Sequence, residues 1–283
     1  MVKIGCCVPG GSFMPEGVAE VPQSAAEQLA AKCWYVMDCG FDFSECGGGM
    51  LAGLSDAELE WLEAENKKKP LGLLAVNSLF SPQYKLANPG EKWDDLQAYC
   101  KRLIDVLARF GIKYAVFGSG AARTIPEDIS EEEGYANLRR FMNSFADYGE
   151  QKGVTLVIEP LRARETNVYR TVPVSDAEVK LLNRPGVQLL ADAFHMAEEG
   201  TPPEAVEDCE GRLLHCHMAE APDRTCPGQP TTGDITLNRR FAASLIKMGY
   251  TGGVSAECGY TDFKKNVPEI LAYMRELFPR EEN

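Results

Sequence analysis

The sequence predicts a single (β/α)8 barrel, α/β in class and one domain over residues 1–283, and three observations predict it. Eight short apolar segments with strand character recur along the chain. Helical patterns lie between them, and strict strand–helix alternation implies right-handed crossovers and a parallel sheet. The fingerprints of the competing open sheet are missing: no GxGxxG follows the first strand segment and no GxxxxGK[ST] occurs, while Gly118-Ser119-Gly120 is short enough to be only a tight turn.

The strand segments are Val2–Cys7, Phe41–Cys46, Leu71–Asn77, Lys113–Gly118, Thr155–Glu159, Gln188–Asp192, Arg212–His217 and Gly253–Glu257. Several helices carry start signals in which Ser or Thr caps the backbone and an acid three residues later caps in return. Ser55 with Glu58, Ser130 with Glu133, Ser175 with Glu178 and Thr201 with Glu204 fit that pattern, and Pro202 and Pro268 stand where first-turn prolines belong. After Ser130, the residues Tyr135, Leu138, Phe141, Met142, Phe145 and Tyr148 form one stripe; before Phe110, Leu96, Tyr99, Leu103, Val106 and Leu107 form another. These stripes are packing faces. The loop Val8–Gln23, with Gly10-Gly11 and Pro15, reads either as a lid or as a surface excursion.

Composition narrows the function. Against 42 acidic side chains stand 29 basic ones, a net charge of −13, and the pI is near 4.8. A protein this acidic lacks the electrostatic footprint of a nucleic-acid binder. No apolar run approaches the roughly 20 residues needed to cross a bilayer, and Val2–Val8 lacks the features of a signal peptide. Ten cysteines sit mostly in apolar segments without any CxxC pair, which reads as reduced thiols of a cytoplasmic protein.

A barrel gathers its functional groups at the C-terminal ends of its strands. The fifth to eighth strand segments end in Glu159, Asp192, His217 and Glu257. Each alone is an ordinary strand terminus meeting solvent. Together they would bring three carboxylates and an imidazole into one patch, where like charges repel unless a cation holds them. That donor set suits one divalent ion, Mn²⁺ first, with Mg²⁺, Co²⁺ or Zn²⁺ as alternatives.

The segments Ile158-Glu159-Pro160-Leu161, Ala191-Asp192-Ala193-Phe194-His195-Met196, His215-Cys216-His217-Met218-Ala219-Glu220 and Ser255-Ala256-Glu257 resemble motifs of the xylose-isomerase-like TIM barrel superfamily. The pattern is similar to that of its sugar isomerases and epimerases, the ketose 3-epimerases among them, and Gly40-Phe41-Asp42-Phe43-Ser44-Glu45 resembles the second strand of that group. The resemblance implies that Glu159, Asp192, His217 and Glu257 ligate the metal, and that Glu159 and Glu257 are the acid/base pair. It also implies that His195, Glu165 and Arg224 touch a small carbohydrate substrate, and that the protein assembles as a homodimer or homotetramer.

The expected activity is then a sugar isomerase or epimerase. A divalent ion chelating a carbonyl and its neighbouring hydroxyl stabilises the enediolate left when a C–H proton is removed. Proton return to the same carbon is epimerisation; return to the next is isomerisation. The same machinery on an oxidised sugar or glycoside would make a lyase or dehydratase, and a barrel that only binds a polyol is the third reading, which two retained glutamates argue against. His195, His215 and His217 are the only histidines, too few for a multi-zinc endonuclease branch of the superfamily. His215 reads as a core histidine supporting the ligands. Glu45 is expected either to bind sugar hydroxyls or to balance an arginine. Arg123, Arg162, Arg164 and Arg224 follow strands on the mouth side, where they either are solvated or hold an anionic group of the substrate.

Overall fold

Eight parallel strands close on themselves in chain order: β1 Lys3–Cys7, β2 Phe43–Gly47, β3 Leu73–Asn77, β4 Tyr114–Phe117, β5 Thr155–Ile158, β6 Val187–Asp192, β7 Leu213–Met218 and β8 Gly253–Ala256. The computed structural model describes residues 1–10 and 24–280. The stretch read as a lid, Val8–Gln23, lies outside the described residues from position 11 onward. β1 pairs with β8 from Lys3↔Gly253 to Cys6↔Ala256, and this pairing closes the ring.

Every expected strand is present, with shifted ends. β2 and β3 begin two residues later than the apolar runs suggest. β5 and β8 stop one residue early, so Glu159 and Glu257 stand just beyond them. Their N–H groups still follow the ladder: Glu159 N–H donates to Phe117 O at 3.3 Å and Glu257 N–H to Met218 O at 3.1 Å.

Alternation along the strands decides what fills the barrel. Phe43 and Tyr114 pack on His215 with ring centroids 5.8 Å away in each case, and Val116, Val157 and Leu190 form a separate interior cluster. Room for Phe43 comes from Gly5 on β1, where a Cβ would lie 2.1 Å from the phenyl ring. Two residues further along the same inward-facing positions come Cys7, Glu45, Glu159, Asp192, His217 and Glu257, so the floor of the mouth rests directly on the packed interior.

Ten helices surround the strands among the described residues: α1 Ala25–Cys39, α2 Gly48–Ala52, α3 Asp56–Lys68, α4 Trp93–Arg109, α5 Gly120–Arg123, α6 Glu131–Lys152, α7 Val172–Leu182, α8 Ala193–Glu198, α9 Leu237–Lys247 and α10 Phe263–Leu277. α4 buries Leu96, Leu103, Ile104, Val106 and Leu107, and α6 buries Leu138, Phe141, Met142 and Phe145. Each such side chain contributes about 1.5–3 kcal/mol on burial. Tyr99, Tyr135 and Tyr148 lie at the half-buried margins of the stripes.

Ser55 and Glu58 form a reciprocal capping box, and Ser130 accepts from Glu133 N–H. Ser24 and Glu27 make a further box at the start of α1. The other expected starts differ. α7 begins after Thr171, whose hydroxyl accepts from Val174 N–H, with Pro173 in the first turn; this leaves Ser175 inside the helix and Glu178 paired to Arg139 at 2.7 Å. Pro202, Thr201 and Glu204 precede or enter a 3-10 turn over Pro203–Cys209 that has no side-chain cap. Pro268 lies in the interior of α10. A proline there deprives the carbonyl four residues earlier of its donor, and the Tyr35 hydroxyl supplies one to Lys264 O at 2.6 Å.

Candidate active site

Glu159, Asp192, His217 and Glu257 come together at the mouth: one ligand atom from each lies within 4.8 Å of all the others. His217 is fully buried and its ring is fixed at both ends. Nδ1 faces Glu159 Oε1 at 2.9 Å and Glu257 Oε2 at 3.1 Å, while Nε2 faces Glu45 Oε1 at 3.0 Å. Asp192 is held by its own helix. Oδ1 accepts from Phe194 N–H at 2.8 Å as the N-cap of α8, which turns Oδ2 towards the cluster.

The electrostatics follow from this crowding. Burial raises the Glu159 carboxyl above its usual range, with Glu257 adding to the shift and His217 opposing it. Burial likewise raises Asp192, against the pull of Arg224. Burial would raise Glu257 too, but His217 and Arg224 bring it down to about 2. For His217 burial favours the neutral ring, yet the carboxylates of Glu45, Glu257 and Glu159 lift it well above the ordinary value. Two buried carboxylates and a half-buried one, gathered with the His217 imidazole, form an oxygen-rich pocket of excess negative charge, and the donor set fits a hard divalent cation. The backing of His217 by a carboxylate on the far nitrogen is the usual support of a metal-ligating imidazole.

His195 lies beside the cluster, 1% exposed. Its Nδ1 accepts from Arg162 N–H at 3.4 Å, which leaves the proton on Nε2, and burial lowers the ring to about 4. That Nε2 is 3.6 Å from Asp192 Oδ2 and has no hydrogen-bond partner among the described residues. Arg224 reaches in from the loop after β7, with Nη2 at 2.5 Å from Glu257 Oε2 and 3.5 Å from Asp192 Oδ2. The loop holds it in a left-handed backbone conformation, φ 54°, through Glu220 N–H to Thr225 O and Gly259 N–H to Arg224 O. Glu165 is half-buried on the rim and accepts from Arg162 Nε at 2.5 Å.

Two expectations are corrected. Glu45 is not at the level of a substrate: it is wholly buried, and its carboxylate is used by His215 Nε2 at 2.8 Å, His217 Nε2 at 3.0 Å and Ser255 Oγ at 2.7 Å. Nor does Arg123 stand on the rim. It is fully buried, stacked by Phe117 and Tyr169, and donates to the carbonyls of Phe117 and, at 2.7 Å, of Glu159. His215 has the supporting place expected of it, bonded to Glu45 under His217.

Three contributors were not anticipated. Asn77, the last residue of β3, donates from Nδ2 to Glu257 Oε1 at 2.8 Å; its polar side chain closing an apolar run was a legible signal. Cys7, at the end of β1, lies within 4.8 Å of Glu45 and His217. Gly118 leaves space for a carboxylate, since a Cβ there would be 2.3 Å from Glu159 Oε2.

Comparison with known proteins agrees with this architecture. The chain is 27% identical over 233 residues to D-psicose 3-epimerase of Agrobacterium fabrum, covering 78% of this chain and 76% of that protein. It is 30% identical over 129 residues to L-ribulose 3-epimerase of a Methylomonas species, 45% of this chain and 43% of that one. Among solved structures, D-psicose 3-epimerase in the presence of D-fructose superposes with a TM-score of 0.79 at 20% identity over 99% of this chain and all of the other. The 3-keto-D-glucoside 4-epimerase of E. coli gives 0.76 at 20% identity, over 98% of this chain and all of the other. A family model described as xylose isomerase-like TIM barrel matches residues 35–277. With that match over most of its length, the chain belongs to the xylose isomerase-like TIM barrel family.

Proposed function

We propose that this protein is an isomerase, a divalent-metal-dependent epimerase of free ketoses. The observation that carries the reading is the convergence of Glu159, Asp192, His217 and Glu257 within 4.8 Å of one another, in a chain whose relatives include ketose 3-epimerases. These four residues would hold one divalent ion, Mn²⁺ before Mg²⁺, Co²⁺ or Zn²⁺. Bound there, the ion supplies Lewis-acid polarisation of the sugar carbonyl and its neighbouring hydroxyl.

The chain's own groups do the rest. Glu159 and Glu257 enter from β5 and β8, three strands apart around the ring, so a carbon between them has a carboxylate on either side. One takes the C–H proton and the other returns a proton to the opposite side of the same carbon. His195 donates its Nε2 proton to a substrate oxygen, satisfying an atom that is otherwise buried without a partner among the described residues. Asn77 and Arg224 hold the two oxygens of Glu257 in place. Arg224 and Glu165 shape the rim against the sugar hydroxyls.

The rim favours an unphosphorylated substrate. Arg162 pairs with Glu165 and Glu198, Arg164 with Glu198, Arg170 with Glu199, and Arg224 with Glu257 and Asp192. Each of these guanidinium groups already has a carboxylate partner and is not free for a phosphate. Among the described residues no helix is long and apolar enough to cross a membrane, and all ten cysteines are free thiols, in keeping with a cytoplasmic enzyme.

The test is incubation of the manganese-loaded protein with free ketoses and ketose phosphates in D₂O, followed by NMR. Deuterium at the carbon beside the carbonyl, with appearance of the 3-epimer from a free ketose, is the expected result. Expulsion of water or an aglycone would make the protein a lyase instead, and metal binding without exchange on any ketose would leave a polyol-binding barrel.

A further inference from the structure

The loop after β7 and the turn after β8 meet at two thiols. Cys258 Sγ lies 3.3 Å from Cys226 Sγ, and both are unoxidised. Their neighbours are the groups that converge on the metal cluster: Cys258 directly follows Glu257, and Cys226 stands two residues beyond Arg224. The two segments are already tied, Gly259 N–H donating to Arg224 O at 2.8 Å and the Cys226 thiol contacting Gly259 O at 3.7 Å. Eight of the ten cysteines are buried, Cys226 among them, whereas Cys258 is partly exposed and open to a small oxidant.

We propose that Cys226 and Cys258 are an oxidation site, a dithiol that closes to a disulfide and thereby reversibly switches off the adjoining acid/base centre. With a peroxide as oxidant, one of the two sulfurs attacks one peroxide oxygen, the O–O bond breaks, and sulfenic acid and one water result. The other sulfur then displaces the sulfenic oxygen as a second water, forming the S–S bond. Two thiols give up two protons and two electrons in all, and the peroxide is reduced to two waters. Closure brings the sulfurs from 3.3 Å to about 2.05 Å, a movement of ~1.2 Å imposed one residue from Glu257. Displacements of about 1 Å in a catalytic group cost on the order of 100-fold in rate. The effect on turnover rests on the epimerase reading; the bond itself does not.

The experiment treats the full-length, manganese-loaded protein with stoichiometric hydrogen peroxide. Non-reducing peptide mapping, manganese affinity and ketose turnover are then followed before and after dithiothreitol. The expected result is a Cys226–Cys258 linked peptide two hydrogens lighter than the separate thiols, with manganese affinity and turnover each lowered about tenfold or more and both restored by reduction. Cys226→Ser and Cys258→Ser should keep basal turnover and resist the oxidant. Absence of the linked peptide, or a linked protein that binds manganese as tightly as the reduced one, would overturn the proposal. Should the reduced protein turn over no ketose, the epimerase reading fails alone, while the mass and manganese measurements still decide the dithiol.

Discussion

Glu45 Oε1 lies 3.0 Å from His217 Nε2, on the side of the imidazole away from the two carboxylates, Glu159 and Glu257, that face Nδ1. The same carboxylate takes His215 Nε2 and Ser255 Oγ, so one buried acid fixes the tilt of the ring and raises its basicity as a ligand. Glu45→Gln keeps the shape and removes the charge. Manganese affinity is expected to fall about 10–100-fold, measured by calorimetry on a protein with unchanged near-UV dichroism; unchanged affinity would show that His217 is oriented by packing alone.

Glu159→Gln and Glu257→Gln should each fold normally and lose about 10²–10⁴ of turnover, the usual contribution of one positioned acid or base. Single-turnover solvent-deuterium exchange reads the loss directly. Each variant should also weaken manganese binding, because one of the four proposed donors loses its charge. Wild-type exchange in either variant would remove that residue from the mechanism.

Gly118 is where β4 makes room for Glu159. In Gly118→Ala the new methyl would sit 2.3 Å from Glu159 Oε2, and the carboxylate, being the movable partner, swings away. Turnover is expected to fall by about 10²-fold with little change in urea midpoint. A parallel loss of both would point instead to strain in the strand.

Among the described residues Arg123 is buried without a carboxylate in ion-pair contact, and burial lowers its guanidinium to about 10, still charged at neutral pH. Its work is to hold the carbonyls at the ends of β4 and β5. Arg123→Met takes the side-chain donor from the Glu159 carbonyl and leaves the Phe117 carbonyl with the Glu159 N–H alone, an expected loss of about 1–3 kcal/mol in unfolding free energy, checked by urea denaturation.

Asp42 ties the strand ring to the last helix: Oδ2 accepts from Ile4 N–H at 2.8 Å and Oδ1 from Arg275 Nη2 at 2.9 Å. Burial opposes its ionisation, but Arg275 and the Ile4 amide hold the carboxyl below the usual range. Its stabilisation is therefore complete above the unfolded carboxylate value near 4 and fades as pH drops through the depressed folded value. Asp42→Asn should cost about 1–2 kcal/mol at pH 7, and the gap between variant and wild type should narrow towards pH 2 in urea titrations. A gap independent of pH would show that the charge on Asp42 contributes nothing.

The barrel and its mouth were readable because each carries a local signature. Apolar runs of four to seven residues announce strands, and a charged residue closing such a run announces the C-terminal face, which is why Glu159, Asp192, His217 and Glu257 stood out. Depth was not readable. Glu45 also closes an apolar run, but the ladder slips between β2 and β3 at Ser44/Glu45, and three polar side chains from β7 and β8 surround it, a fact of tertiary contact only. Arg123 follows a strand as a rim arginine would, yet the short helix α5 turns it inward onto two carbonyls. Thr171 and Pro173 did signal the start of α7, but Ser175 and Glu178 offered a rival pattern four residues later, and only the pairing of Glu178 with Arg139 decides between them.

The bond between β1 and β8 has a consequence for biosynthesis. Glu257 stands one residue beyond β8, the last strand of the ring in chain order, and the ring that supports it is finished only when that strand docks against β1. A nascent chain halted before residue 253 would carry Glu159, Asp192 and His217 but no closed cylinder beneath them, so competence arrives in a single late step instead of accumulating as the polypeptide lengthens.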